Sequence, residues 1–221
     1  MAETREALLR AGAELFGEHG LDGPSLDDIC AAAGKTRGAF YVHFEDRDAF
    51  LVAVMEQLGL PLLDEIFGAT DESGARAGGG APVDLMTVAL RFVSAVGTGA
   101  YPLTREGGVR PHQLIDACVR SSAIRSRYVG FVGDAIDRLA AVVRADQQRG
   151  ELREDVDPRD LSTLMLAAVI GAQTMLELGV PLDLARAGAS LFGALARDRS
   201  GAKAAGASPA PRSARARKPA R

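Results

Sequence analysis

An all-α fold is predicted, and three observations predict it. Apolar residues recur at i, i+3, i+4 and i+7 along most of the chain. No stretch alternates polar and apolar residues as a half-buried strand would. Helix start and stop residues punctuate the periodic segments into about nine units. Within this pattern, residues 25–44 form two short helical segments around a tight glycine turn, and they carry the most specific information in the sequence.

Ser25 opens the first of these segments. Its hydroxyl can accept from the amide of Asp28 while Asp28 reaches back, and Leu26 and Ile29 then face inward. Gly34 falls where a helix must end in a left-handed residue, and Thr36 can cap the next helix through its hydroxyl oxygen. A helix-turn-helix results. In the second helix Phe40 and Phe44 stand four apart on one inward stripe, which leaves Arg37, Gly38, Ala39 and Tyr41 outward. Small residues beside an arginine suit a backbone that must approach base edges closely, whereas a solvated face would carry Glu, Lys or Gln.

The run from Cys30 to Phe44, Cys-Ala-Ala-Ala-Gly-Lys-Thr-Arg-Gly-Ala-Phe-Tyr-Val-His-Phe, is similar to the signature of the tetracycline-repressor (TetR) family of bacterial transcriptional regulators. Residues 8–20 look like that family's first helix, with Leu8, Gly12, Leu15 and Phe16 on its core face and Gly20 past its end. Residues 46–51 look like the start of its fourth helix, with Arg47 where a lysine is usual. The resemblance covers about residues 4–55 and departs from the pattern at Lys35, usually apolar, and at Cys30, usually alanine. It implies that Ser25, Lys35, Thr36, Arg37, Gly38, Ala39, Tyr41, His43 and Arg47 bind DNA. Arg37 would touch a base edge or a flanking phosphate, and Thr36, Tyr41, His43 and Arg47 would fix the register on the backbone.

Beyond residue 55 the helical spacing continues without motifs. Pro61 is predicted to break or kink the end of the fourth helix. Residues 68–81 and 97–110 read as long connections. Between and after them lie the stripes Leu85, Val88, Ala89, Phe92, Val93 and Val96, then Leu114, Ile115, Cys118 and Val119, then Tyr128 to Val143 up to a stop at Gly150. Asp157, Pro158 and Asp160 make a strong helix start for a stripe of Leu161, Leu164, Met165, Ala168, Ala172 and Met175. Gly179 and Pro181 close that helix. Asp183 caps a final one with Leu184, Gly188, Leu191, Phe192 and Leu195. The resemblance implies that these two helices from each of two subunits build a four-helix dimer interface. A small-molecule pocket is expected between the fourth helix and the helices near Phe92, His112, Asp116 and Phe131.

Composition agrees with this reading. The chain has 221 residues, is 47% hydrophobic and carries a net charge of −3, so total charge does not announce nucleic-acid binding. Residues 201–221 hold Lys203, Arg212, Arg215, Arg217, Lys218 and Arg221 with no acid, a composition expected of a disordered tail. The expected division is a DNA-binding domain at 1–50, an effector and dimerisation domain at 51–198 and a basic tail at 199–221. Two cysteines far apart, and acids at Glu3 and Glu6 ahead of any apolar run, point to a reduced cytoplasmic setting without a signal peptide. The uncharged stretch Leu161 to Leu176 is short for a membrane span. Three scattered histidines make no zinc site, Gly34-Lys35-Thr36 lacks the remainder of a phosphate loop, and no nucleophile elbow appears. No cofactor, metal or catalytic residue is expected. The expectation is thus a homodimeric regulator that binds a double-stranded, palindromic operator and is released by an effector. An activator or ligand-independent regulator of the same fold, or an enzyme or scaffold that has lost DNA binding, is the alternative.

Overall fold

The computed structural model describes residues 2–68, 83–98 and 109–196. Within them nine helices follow in order: α1 (Ala2–His19), α2 (Leu26–Ala32), α3 (Arg37–Tyr41), α4 (Arg47–Phe67), α5 (Leu85–Gly97), α6 (Pro111–Arg120), α7 (Ser122–Gln148), α8 (Pro158–Glu177) and α9 (Leu184–Leu195). The only bridge among the described residues is an isolated one between Leu152 and Ala196. The basic tail and most of the two predicted connections lie outside the described residues.

Local chemistry sets the ends of these helices. Side chains of Ser25, Thr36, Asp46, Asp84, Ser121, Asp157 and Asp183 accept from backbone amides in the first turns that follow them. Gly20, Gly34, Gly150 and Gly179 adopt φ of 71°, 63°, 71° and 78°, which lets the chain reverse after α1, α2, α7 and α8. Of the break or kink expected at Pro61, the break does not occur. α4 continues six residues past it, because Leu63 and Ile66 are buried beyond the proline and their burial offsets the lost hydrogen bond.

Two hydrophobic cores form. The first joins Leu8, Leu9 and Phe16 of α1, Ile29 and Cys30 of α2, Phe40 and Phe44, and Phe50, Leu51 and Val54 of α4 with Leu114, Ala117 and Cys118 of α6 and Ile124 of α7. The second joins Ile66, Leu85, Val88, Leu139, Val142, Val143, Leu152, Leu161 and Leu195. Three stripe assignments therefore need correction: Ile115 and Val119 on α6 and Val93 on α5 face outward, at 53%, 73% and 61% exposure. On α6 the inward set is Pro111, Leu114, Ala117 and Cys118, a tighter spacing than the one read from its larger residues.

Buried Asp146 ties α7 to the second core, since its Oδ2 accepts from the amide of Leu85 at 2.9 Å and its other oxygen pairs with Arg149. Burial raises its carboxyl above the ordinary value of 3.8, and these partners offset that only in part. α9 meets the body at its C-terminal end, where Leu195 is buried and the Arg153 amide donates to the Leu195 carbonyl at 3.0 Å.

Candidate nucleic-acid interface

Four aromatic rings fix the position of α3. Phe40 is fully buried, and its ring centroid lies 5.3 Å from Phe44 and 5.2 Å from Phe50, with Phe16 a further 6.2 Å from Phe50. A Cβ on Gly12 would come within 2.4 Å of the Phe50 ring, so the glycine lets α1 close on this cluster. A five-residue helix is too short to be stable alone, and the cluster supplies what its own hydrogen bonds cannot.

Thr36 Oγ1 accepts from the amide of Ala39 at 3.1 Å and starts α3. At the head of α2 the Ser25 amide donates to Asp28 Oδ2 at 2.8 Å, and the Asp28 amide donates back to Ser25 Oγ at 3.1 Å. The Ser25 hydroxyl, which donates to Asp28 Oδ2 at 2.6 Å, and then the Ser25 amide hold the Asp28 carboxyl below the usual range. The two helices thus present one surface. Arg37, Gly38 and Tyr41 stand exposed on it, Lys35, Ala39 and His43 are half-buried beside it, and Tyr41 meets the edge of the Phe40 ring at 5.4 Å.

Arg37 Nε lies 3.2 Å from Asp27 Oδ1 of α2, an exposed ion pair that holds the guanidinium across the turn. A Cβ added to Gly38 would meet nothing nearer than Thr36 Oγ1, at 3.7 Å, so packing within the protein does not require glycine there. Arg47 differs from the others. Its Nη2 donates to the Leu21 carbonyl at 2.8 Å and its guanidinium carbon lies 5.6 Å from the Phe16 ring centroid, so it fastens α4 to the end of α1.

Several features of this region escape sequence reading. Val42, 62% exposed, follows Tyr41 on the same surface. Gln113 of α6 accepts through Oε1 from the amides of Leu21 and Arg110, at 3.3 and 3.2 Å, and it fills the space beside Gly20. Arg120 of α6 pairs with Asp22 at 3.3 Å. A crevice of about 540 Å³ runs beneath, lined by Leu21, Pro24, Arg47, Leu51, Arg120 and Ile124 among others. α6 thus joins the loop after α1 to α7 and α8. No local pattern announces a contact between residues 92 positions apart.

The four expected effector residues have the following surroundings. Phe92 packs against the second core, His112 is exposed and paired with Glu177 at 2.5 Å, Asp116 is exposed and paired with Arg120, and Phe131 lies against Gly59. Two expected interface residues, Leu161 and Leu195, belong to the second core, and Met165 and Phe192 pack against it. Leu164, Ala168, Met175, Leu184 and Leu191 are exposed, and Ala172 and Gly188 half-buried.

The description "Bacterial regulatory proteins, tetR family" matches residues 8–54, the segment that builds this surface. The repressor BepR of Brucella suis biovar 1 is 28% identical over 181 residues, covering 77% of this chain and 78% of that one. The regulatory protein TetR from Rhodobacter sphaeroides superposes with a TM-score of 0.63 at 25% identity, covering 85% of this chain and 96% of that one. Residues 8–54 are thus similar to the TetR family, and the described helices share the all-helical fold of TetR-family structures. The chain is a DNA-binding transcriptional regulator. SmeT of Stenotrophomonas maltophilia, solved with triclosan bound, gives a TM-score of 0.63 at 26% identity over 89% of this chain and 93% of that one. No described helix of this chain is long and apolar enough to cross a membrane.

Proposed function

We propose that the protein is a cytoplasmic, homodimeric repressor that grips a palindromic operator with two copies of α3 and is released by a small-molecule effector. The observation that carries this reading is the exposed Arg37, Gly38 and Tyr41 surface on a short helix immobilised by Phe40, Phe44 and Phe50. In this reading Arg37 leaves Asp27 to reach a base edge or phosphate. Thr36, Lys35, Tyr41 and His43 hold the backbone, Gly38 and Ala39 allow close approach, and Ser25 sits at the head of α2. Arg47, already bonded to Leu21, acts by keeping α4 in place. The name of BepR supports repression, and triclosan in SmeT supports an effector.

Dimerisation is supported by the uncovered apolar residues of α8 and α9: Leu164 at 69%, Met175 at 48%, Leu184 at 43% and Leu191 at 38% exposure. Large apolar side chains left exposed on these two helices are costly to keep in water. Two recognition helices must enter successive major grooves about 34–36 Å apart, so a dimer sets the half-site spacing. Residues 1–50 are taken as the DNA-contacting unit, 51–198 as the effector and dimer unit, and 199–221 as a separate basic tail. The first core runs across the first boundary through α6, and this continuity lets a ligand in one unit move the other. A gel shift against the DNA upstream of the protein's own gene tests the reading. A retarded band that excess unrelated DNA does not compete away is expected, and absence of any band overturns it.

A further inference from the structure

The segment that leads into the helix-turn-helix is held at Leu21. Gly20, at φ 71°, reverses the chain after α1, and Leu21 is 6% exposed in the first core. Both of its backbone groups are engaged. Its amide donates to Gln113 Oε1 of α6 at 3.3 Å, and its carbonyl accepts from Arg47 Nη2 of α4 at 2.8 Å. Three residues further Pro24 is buried, and Ser25 then caps α2. The approach to α2 and α3 is therefore held from two sides, by α4 and by α6.

Gln113 fits this position closely. Its Oε1 also accepts from the Arg110 amide at 3.2 Å, so one oxygen closes the first turn of its own helix and takes the donor from Leu21. A Cβ on Gly20 would come within 2.6 Å of that oxygen and 2.8 Å of Nε2, so the glycine leaves the room that the side-chain amide fills. Leu114, the next residue, is buried in the first core, and His112, the one before, pairs at 2.5 Å with Glu177, the last residue of α8. Consecutive residues of α6 thus meet α8, the loop after α1 and the first core. A buried N–H that loses its acceptor loses its bonds to water without replacement, so the Leu21 amide favours the placement of α6 that satisfies it. Arg120 and Asp22, 3.3 Å apart and both more than half exposed, add a solvent-screened link between the same segments.

We propose that Gln113 is a positioning residue for operator recognition. Through one acceptor oxygen it fixes the angle of the helix-turn-helix relative to α8, and so the separation of the two recognition helices in the dimer. This inference rests on the dimeric, operator-binding reading and adds to it a residue that sets the spacing. Two recognition helices must meet successive major grooves at a fixed distance, so a helix-turn-helix free to pivot tolerates half-sites that a held one rejects. Gln113 itself touches no DNA in this account. Its loss leaves the phosphate contacts in place, and these set nonspecific affinity and salt dependence.

The test uses the full-length protein and the upstream DNA fragment that it retards, beside the same fragment with one base pair inserted between the half-sites. Wild type should prefer the original spacing by about fivefold or more, the lower end of ordinary coupling between sites. Gln113→Leu, which removes the acceptor, should bind both spacings alike, with affinity for unrelated DNA and its salt slope unchanged. Gln113→Glu, which keeps an acceptor for both amides in a first turn that favours an acid, should retain the wild-type preference. A wild type indifferent to spacing, a Gln113→Leu variant that keeps the preference, or a Gln113→Glu variant that loses it overturns the proposal and leaves DNA binding standing. Equal weakening on operator and unrelated DNA in Gln113→Leu would make the residue a support of the fold alone, and this also overturns it. Hydrogen exchange on wild type needs no variant: the Leu21 amide should exchange slowly in the operator complex, and fast exchange overturns the proposal. A wild type that retards no fragment overturns the regulator reading and this inference together.

Discussion

Gly38 separates what the fold requires from what function requires. A Cβ there would clash with nothing inside the protein, yet glycine in a helix interior costs stability relative to alanine. Gly38→Ala should therefore stabilise the free protein by about 0.5–1 kcal/mol in denaturant unfolding. It should at the same time weaken operator binding, because the added methyl stands between α3 and the base edges. Stabilisation without loss of affinity would show that Gly38 does not face the groove. The two cysteines illustrate the opposite case. Cys30 and Cys118 are buried in the first core, burial raises both thiols, and packing accounts for them.

At the scale of elements, the helix boundaries were the most legible part of the sequence. Ser25 with Asp28, Gly34, Thr36, Asp157 and Asp183 all act through contacts of three residues or fewer, so they read correctly from spacing alone. Pro61 did not, because the outcome depended on what Leu63 and Ile66 would bury against. Nor did the faces of α6, where Ile115 and Val119 have the size of core residues but Gln113 and Arg120 dock the helix on the loop after α1 and turn them outward. Whether Phe92, His112, Asp116 and Phe131 share a pocket depends on long-range packing, which periodicity does not encode.

Asp146 supplies a prediction at this level, since it caps α5 from α7. Its folded carboxyl holds its proton more tightly than the unfolded one, so the folded state binds more protons as pH rises above about 3.8. Stability should accordingly fall with rising pH through that window until Asp146 has ionised. Asp146→Asn, which keeps an acceptor for the Leu85 amide, should flatten this part of a stability-against-pH curve measured by chemical denaturation. An unchanged slope would place its origin in another group.

For the whole molecule, the sequence signalled DNA binding through placement and not through total charge. The chain sums to −3, and residues 1–50 hold five Lys or Arg against ten Asp or Glu. The surface around α3 still offers Arg37 and Lys35, beside exposed Tyr41. In the proposed dimer each copy of α3 would read half of a palindrome. Leu191→Glu places a carboxylate on the uncovered face of α9, and burying it unpaired in a dimer interface would cost about 3–5 kcal/mol. Light scattering should then show a monomer that keeps wild-type helicity by circular dichroism and loses operator affinity. A variant that stays dimeric would move the interface elsewhere.

The central claim is that the exposed side of α3 reads DNA, and fluorescence anisotropy with a labelled operator tests it most directly. Wild type should bind with log affinity falling linearly in log salt, by about 0.9 per phosphate contact. Arg37→Ala combined with Tyr41→Phe should keep the fold, lose most of the preference for operator over unrelated DNA, and show a shallower salt slope. Operator affinity and salt slope both unchanged in that folded double variant would contradict the account.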